Sequence, residues 1–505
     1  MLEAISSGFA SLLTPFGLGM LVVGTLLGTI IGAIPGLGGA VLMTMLLPFI
    51  YGMPIVPALT LLLAAHTGIY FSGSITAILL NTPGAPESAA TTFDGYAMTR
   101  QGKAARALGI SAASTTIGGW IGVVLLLAVI PLMYQLITLF QPSEYLVLCI
   151  LAIILIGQMR SGAVTKGLIS GLFGLAISFV GYDPITGVQR FSFNMLGLYN
   201  GFNITAVALG LFALAEMFRL FGINCGMTEG LNVELNVKAA GDRVWDGVRD
   251  VFQHTWLMIR SAILGTLLGV VPGVGGVAAN FISYGQAMKT SKRPEKFGTG
   301  IPEGIIAPES SSISKEAGNL IPTVALGVPG GVGMAVLMSG FTILGIVPGP
   351  SMLTSHLDAV FAMAFCIAIG SLLSSLMGLG MAPVLARISK VPGPILVPFI
   401  FALGALGAYA ASGQFLQVIA TVGFGAVGWL MQRYHYSIPA AMIGYILGAV
   451  AEKNLYLTQQ IQGLTMFERP LTDLMLLIII GILVGPYVRR RKGKAPSAVA
   501  EVKEA

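Results

Sequence analysis

Apolar residues run along this chain in stretches too long and too unbroken for the core of a water-soluble domain. "TLLLAAHTGIYFSGSITAILL" (60–80), "WIGVVLLLAVIPLMYQLITLF" (120–140) and "LMLLIIIGILVGPYV" (474–488) approach or reach the roughly 20 residues a helix needs to cross about 30 Å of hydrocarbon. A membrane β-barrel would instead show alternating segments of about 10 residues, and no such alternation is present. The pattern predicts an all-α polytopic membrane protein. Composition agrees: of 505 residues, 55% are hydrophobic and 10% charged, with mean hydropathy +0.86, against about 25% charged in an ordinary soluble domain.

The polar interruptions set the topology. Basic residues cluster at Arg100, Lys103 and Arg106, at Arg160 and Lys166, at Lys238, Arg243 and Arg249, at Lys289, Lys292, Arg293 and Lys296, at Arg387 and Lys390, and at Arg433 and "RRRK" (489–492). Cytoplasmic loops are marked this way, so these are placed on the cytoplasmic side, which also accounts for the net charge of +6. "QPSE" (141–144), "GYDPITGVQRFSFN" (181–194), "VPGPS" (347–351) and "AEKNLYLTQQIQGLTMFERP" (451–470) then face the other side, giving about 12 crossings. The first fifteen residues carry no Lys or Arg, so the first apolar segment lacks a signal-peptide n-region and is expected to stay in the mature protein. Cys149, Cys225 and Cys366 show neither metal-ligand nor disulfide spacing and read as apolar fillers.

One octapeptide recurs: "GAIPGLGG" (32–39) returns as "GVVPGVGG" (269–276). A second landmark follows each copy, "SITAILLNTPGAP" (74–86) and "LIPTVALGVPGGV" (320–332), each an apolar run ending in Pro-Gly. Two landmarks in one order indicate duplication. After the first Pro-Gly the chain leads to the basic 100–106 loop, after the second to the uncharged 347–351 loop. The two repeats are therefore expected to be inverted, a common plan of secondary transporters. The expected organisation is an N-terminal membrane repeat (1–220), a cytoplasmic linker (221–254) with a short surface helix at "DRVWDGVRDVFQHTW", a C-terminal membrane repeat (255–488) and a basic cytoplasmic tail (489–505).

Proline removes a backbone donor and glycine permits conformations other residues avoid, so helices break at Pro35–Gly39, Pro272–Gly276, Asn81–Gly84 and Val328–Gly331. In hydrocarbon a break is tolerated only where protein or a watery cavity surrounds it. Half-helix N-termini offer bare N–H groups to an anion, and opposite ends and unwound carbonyls suit a coupling cation. The opposing reading is that such glycines serve close packing or kinks; four breaks in matched positions favour a site. Polar residues crowd beside them in "NTPGAPESAATTFDGY" (81–96) and "PEGIIAPESSSISKEAGN" (302–319). Ser and Thr hydroxyls there suit carboxylates or sodium, and Lys315 either supplies a fixed positive charge or pairs with Glu316 or Glu309. Glu and Ser after proline are also ordinary helix-start residues, and part of the second stretch fits the cytoplasmic interface equally. His66, inside an apolar run, is read first as a buried histidine bonded to a neighbouring helix and second as a proton-coupling group. His254, His356 and His435 sit near segment ends and suggest nothing specific.

"GAIPGLGG", "LNTPGAPESAATTFDGYAMTRQGKAARALG", "GVVPGVGG", "PEGIIAPESS" and "GVPGG", in this order and spacing, resemble the large membrane (permease) subunit of the tripartite tricarboxylate transporters, the TctA family, over about residues 15–490. The resemblance implies a bacterial inner-membrane permease working with a small TctB-like membrane subunit and a periplasmic TctC-like solute-binding protein, importing citrate or a related carboxylate on an ion gradient, typically sodium, with protons the alternative. Carried onto this chain, the motifs suggest Gly36, Gly38, Gly39, Asn81, Thr82, Pro83, Gly84, Gly273, Gly275, Gly276, Ser310, Ser311, Pro329, Gly330 and Gly331 as substrate and ion lining. The chain itself shows no G-x-x-x-x-G-K-[S/T] phosphate loop, so a gradient rather than ATP is expected to supply the energy. No catalytic residues, no organic cofactor, no metal beyond sodium and no nucleic-acid partner are expected. An ion channel is the first alternative, disfavoured by the lack of an obvious pore-lining ring of charges. An intramembrane enzyme is the second, disfavoured because His66 has no evident nucleophile partner.

Overall fold

The computed structural model describes residues 1–137, 140–157, 164–183, 186–222, 242–272, 276–388, 393–461, 463, 466 and 469–491. Gly273, Gly275, Cys225, most of the expected linker and nearly all of the basic tail lie outside the described residues.

Helices make up most of the described residues. The helices of the first half are α1 (Leu2–Leu12), α2 (Pro15–Gly32), α3 (Gly39–Leu46), α4 (Ile55–Leu80), α5 (Ala89–Arg100), α6 (Ala104–Ile137), α7 (Pro142–Gly157), α8 (Val164–Ser178), α9 (Ile204–Ala208) and α10 (Ala215–Gly222), with one π-helical turn joining α9 to α10. The second half has α11 (Val244–Gln253), α12 (Thr255–Val270), α13 (Gly276–Thr290), α14 (Glu303–Leu326), α15 (Val332–Ile343), α16 (Pro350–Thr354), α17 (Leu357–Ile388), α18 (Gly393–Ser412), α19 (Phe415–Arg433), α20 (Ile438–Ile461) and α21 (Pro470–Arg491). One two-stranded antiparallel ribbon pairs Gly181 with Arg190 and Tyr182 with Gln189. Among the described residues five helices (α2, α4, α6, α17 and α19) are long and apolar enough to cross a membrane, and seven shorter apolar helices accompany them. The outward side chains of α6, α12 and α17 are apolar, with Val124, Leu132, Leu267 and Leu376 each more than half exposed, as a hydrocarbon-facing surface requires.

The breaks fall where proline and glycine demand. α2 opens on Pro15 behind Thr14, whose hydroxyl accepts the Gly17 N–H, and it ends before Pro35 with Gly36 at φ +90°. Equivalent caps end α4 and α14. Asn81 (φ 55°) and Gly327 (φ 67°) both turn left-handed, and each donates its N–H to a carbonyl five residues back, Thr76 and Pro322. A left-handed cap releases the chain sharply from a helix end. The proline that follows each, Pro83 and Pro329, prevents the helix from resuming at once.

Packing recurs between the halves. α2 lies along α4 and α12 along α14; α6 lies along α14 and α17 along α4; α1 packs on α17 and α11 on α6; α3 meets α15 and α13 meets α5. Small residues set these approaches. Gly24, Gly28 and Gly32 bring α2 onto the backbone of α4, with a Cβ at Gly24 only 2.6 Å from the Leu61 carbonyl oxygen. Gly265 and Gly269 do the same for α12 on α14, and Gly118 and Gly122 for α6 on α14. Such small-xxx-small stripes let membrane helices touch backbone to backbone. A Cβ at Gly28 would run into the Ala65 carbonyl. Gly28→Val should therefore prise α2 from α4 and cost about 1–3 kcal/mol or more by overpacking, read as a lower thermal midpoint of the purified protein.

α4 and α14 are ensheathed on every side: all of 56–80 and of 304–325 is buried. Their cross-contacts run in opposite senses, Tyr70 reaching Glu316 while Ser74 reaches Glu309, so the two helices are antiparallel. Within the second polar stretch Glu309 to Asn319 are buried inside the protein. Pro308 is also interior to α14, so Glu309 and Ser310 do not start a helix there, whereas Pro86-Glu87-Ser88 does form the turn that leads into α5.

The 244–253 segment forms the short helix that its sequence predicts, and acidic groups there fasten α6. Asp242 accepts the N–H groups of Ala105 (2.6 Å) and Arg106 (3.0 Å), capping the start of α6, and Asp250 receives both the Nε (2.6 Å) and a terminal nitrogen (2.7 Å) of Arg106. A carboxylate at a helix N-terminus and a bidentate guanidinium pair are both favourable arrangements.

Candidate functional site

Two polar clusters occupy the buried seam between α4 and α14. The first is built around Tyr70 and Glu316, each eleven residues ahead of the left-handed cap that ends its helix. The Tyr70 hydroxyl donates to Glu316 Oε1 at 2.5 Å, His66 Nε2 lies 3.2 Å from Glu316 Oε2, and Lys315 Nζ donates to Glu316 Oε1 at 2.8 Å. Lys315 Nζ also stands 4.8 Å over the Tyr70 ring. Lys315 and Glu316 are each 2% exposed. A buried charge is tolerated only when it is paired and hydrogen-bonded, and Glu316 meets that condition with a cation, a phenol and an imidazole. His66 Nδ1 is buried and meets no hydrogen-bonding partner among the described residues.

Helix starts created by the breaks converge on this cluster. Gly39, first residue of α3, and Gly333, in the first turn of α15, press against the His66 ring so closely that a Cβ at either would collide with it. Gly276, first residue of α13, lies against Lys315 Nζ and Glu87 in the same way. Among the described residues no side chain caps α3 or α15, so their first N–H groups carry the partial positive charge of an uncapped helix start. Gly38, the N-cap of α3, has open space where a Cβ would stand.

The second cluster surrounds Glu309. Its Oε1 accepts hydroxyls from Ser74 (2.7 Å) and Thr91, and its Oε2 from Ser111 (2.9 Å) and Thr115 (2.7 Å). Beside it Ser311 donates to Asn280 Oδ1 at 3.1 Å, and Asn280 donates to the Glu87 carbonyl at 2.7 Å, tying α13 to the turn before α5. Further out, Asp94 gathers the N–H groups of Gly298 (3.0 Å), Gly300 (2.8 Å) and Ile301 (3.0 Å) on Oδ1 and the Tyr284 hydroxyl (2.9 Å) on Oδ2, ordering the entry to α14.

Of the residues the motifs suggest as lining, Gly39 and Gly276 flank the Tyr70–Glu316 cluster, and Ser311 bonds Asn280 of α13. Ser310 packs its backbone on Gly118 and keeps a buried hydroxyl unpartnered among the described residues. Gly330 and Gly331 pack on Asn319, and Gly84 packs on Gly73 and the Gly32 carbonyl; these are close approaches of chain to chain. Gly36 faces Arg219 and Glu216 instead. Asn81 is exposed, Thr82 bonds the Leu80 carbonyl, and Pro83 and Pro329 fix the two caps. His66 and Lys315 both stand in the centre, His66 bonded to a neighbouring helix and Lys315 paired with Glu316 and not with Glu309. Tyr70, Ser111 and Thr115 carry no motif. The hint of the last two was a cluster of hydroxyls, Ser111, Ser114, Thr115 and Thr116, in which Ser111 and Thr115 at i, i+4 spacing share one helix face.

Long apolar helices around a buried, charged centre, with broken helices starting beside it, define a polytopic membrane protein. Residues 18–443 match the Tripartite tricarboxylate transporter TctA family, and the chain belongs to that family; it is a tricarboxylate transporter subunit. It is 33% identical over 455 residues to an Agrobacterium vitis protein described as "Uncharacterized 52.8 kDa protein in TAR-I ttuC' 3'region", covering 90% of this chain and 89% of that one. A second Agrobacterium vitis protein, from the TAR-II ttuC' 3'region, is 31% identical over 191 residues, 38% of this chain and 79% of its own length. No solved structure matches.

Proposed function

We propose that this chain is the permease of a bacterial inner-membrane uptake system in which a periplasmic binding protein delivers citrate or a related carboxylate, a small membrane subunit completes the assembly, and a sodium or proton gradient drives entry. The observation that carries this reading is Lys315. A lysine buried in a membrane protein is costly, and this one sits where the start of α13 meets the Tyr70–Glu316 pair, close to the starts of α3 and α15. The Lys315 ammonium, with further donor capacity beyond its bond to Glu316, together with uncapped helix starts suits an anion of several carboxylates. The antiparallel run of α4 and α14, with matched caps and matched partners, supports an inverted relation of the two repeats, 1–220 and 255–488, which would open the centre alternately to either side.

The test is uptake into proteoliposomes by the permease reconstituted with its small subunit and binding protein, offering several di- and tricarboxylates with and without a sodium or proton gradient. Saturable accumulation that collapses with the gradient is expected. Undiminished flux with neither gradient would sink the reading in favour of a channel. Within that assay, Gly39→Ala should drive a Cβ into the held His66 ring and lower uptake on the order of 100-fold, since displacement of about 1 Å at a site can cost that much. Gly38→Ala, with open space, should stay near the parental rate.

A further inference from the structure

We propose that Glu309 is the seat of a transported monovalent cation, sodium or a proton, and that its hydroxyl cage is built to hold the carboxylate both with and without that charge. The proposal rests on the reading of the chain as a gradient-driven carrier.

Glu309 is 1% exposed, and among the described residues no ion pair reaches it. An unpaired buried carboxylate is among the least tolerated groups in a protein interior. Its four partners are hydroxyls from three other helices: Ser74 on α4, Thr91 on α5, and Ser111 and Thr115 on α6. A hydroxyl both donates and accepts, whereas an ammonium or guanidinium only donates. The ionised carboxylate therefore takes four O–H donors. When it binds a proton, its new O–H finds a lone pair on any hydroxyl that rotates. When it binds sodium, the same oxygens are hard ligands of the kind such cations prefer. A cage made of Lys or Arg would stabilise only the ionised form and fix it.

Apart from Arg100, exposed at the far end of α5, the charges on the surrounding elements have other partners. On α5, Asp94 is taken by the Gly298–Ile301 N–H groups and Tyr284; on α6, Arg106 is taken by Asp250; on α14, Lys315 is taken by Glu316, and Glu303 lies 3.7 Å from His254; on α4, His66 and Tyr70 face Glu316. Glu87, ahead of α5, lies beside Lys315 and Gly276. The cage is connected to the centre along two routes. Ser74 is one turn beyond Tyr70 on α4 and touches Ser88 at 3.1 Å, while Glu309 precedes Glu316 by seven residues, about 10 Å along α14. A charge gained or lost at Glu309 is thus felt in a dry interior at the site proposed for the anion.

The test compares the parent, Glu309→Gln and Thr115→Val. The first reading needs no transport: difference infrared spectra of the purified protein after a pH jump or a sodium jump. The parent should show a buried carboxyl band that appears on acidification if the cation is a proton, or a shift of carboxylate bands on adding sodium if it is sodium, and Glu309→Gln should lose whichever is seen. The second reading is transport in the reconstituted system. Glu309→Gln, a neutral isostere, should keep carboxylate counterflow but lose gradient-driven accumulation. Thr115→Val removes a donor to an ionised group, an effect of about tenfold or more, raising proton affinity in the one case and lowering sodium affinity in the other. Parental spectra and parental gradient dependence in Glu309→Gln would overturn the proposal. Absence of any carboxylate movement by the parent would overturn the carrier reading instead, and the infrared result would still decide the fate of Glu309.

Discussion

Lys315→Met should abolish carboxylate uptake and also destabilise the protein, and the two effects should be separable. Removing the ammonium leaves Glu316 as an uncompensated charge in a fully buried seam, where breaking such a pair costs about 3–5 kcal/mol. The thermal midpoint of the purified protein should drop accordingly. Replacing Glu316 by Gln in the same chain removes the orphaned charge, while Tyr70 and His66 can still bond the amide. Lys315→Met/Glu316→Gln should therefore recover most of the stability. It should not recover uptake, because the fixed positive charge beside the α13 start is still missing. If the double variant transports at the parental rate, Lys315 serves only to neutralise Glu316, and the anion site lies elsewhere.

The second large effect is on folding. Asp94→Ala should lower stability by about 1–3 kcal/mol, the cost of leaving a buried group unsatisfied, because the buried Ile301 N–H and the partly buried Gly300 N–H and Tyr284 hydroxyl lose their acceptor together, while the exposed Gly298 N–H can turn to water. Gly304 packs directly against the Asp94 carboxylate, so the first turn of α14 loses its seat as well. Asp94→Asn, which keeps Oδ1 as acceptor, should lose about half as much. The measurement is the thermal midpoint together with the rate of proteolytic cutting near 292–300. An unchanged midpoint in Asp94→Ala would mean that the loop is held by something other than this carboxylate.

Much of this architecture was legible before any coordinates, because its signals are local. Pro35 and Pro272 lack the N–H a helix needs, and the left-handed caps at Asn81 and Gly327 fall where Asn and Gly tolerate positive φ, so breaks and their recurrence could be read from residue type alone. Partnerships across the fold could not. Nothing in "APESSSISKEAGN" says that Lys315 pairs with Glu316 rather than with Glu309, or that Glu309 meets Ser111 and Thr115 some two hundred residues earlier. Those pairings depend on how α4, α6 and α14 cross. Glycine was ambiguous for a related reason. At Gly39 and Gly276 it admits a side chain of the centre, at Gly84 and Gly330 it admits another backbone, and the sequence writes both in the same letters. Nor does "DRVWDGVRD" say that Asp242 and Asp250, inside the expected linker, fasten the start of α6.

The crossed packing of the long helices decides which parts of the molecule can move as bodies. α6 of the first half is bolted along α14 of the second, and α17 of the second along α4 of the first. Each half of the chain thus holds a long helix of the other, and the covalent halves are interlocked. The outer group, α7 to α10 and α18 to α21, touches that interlocked core chiefly through α3 and α15, the two short helices whose first turns rest on His66. A displacement of the outer group against the core would load these two helices first, and through Gly39 and Gly333 the His66 ring.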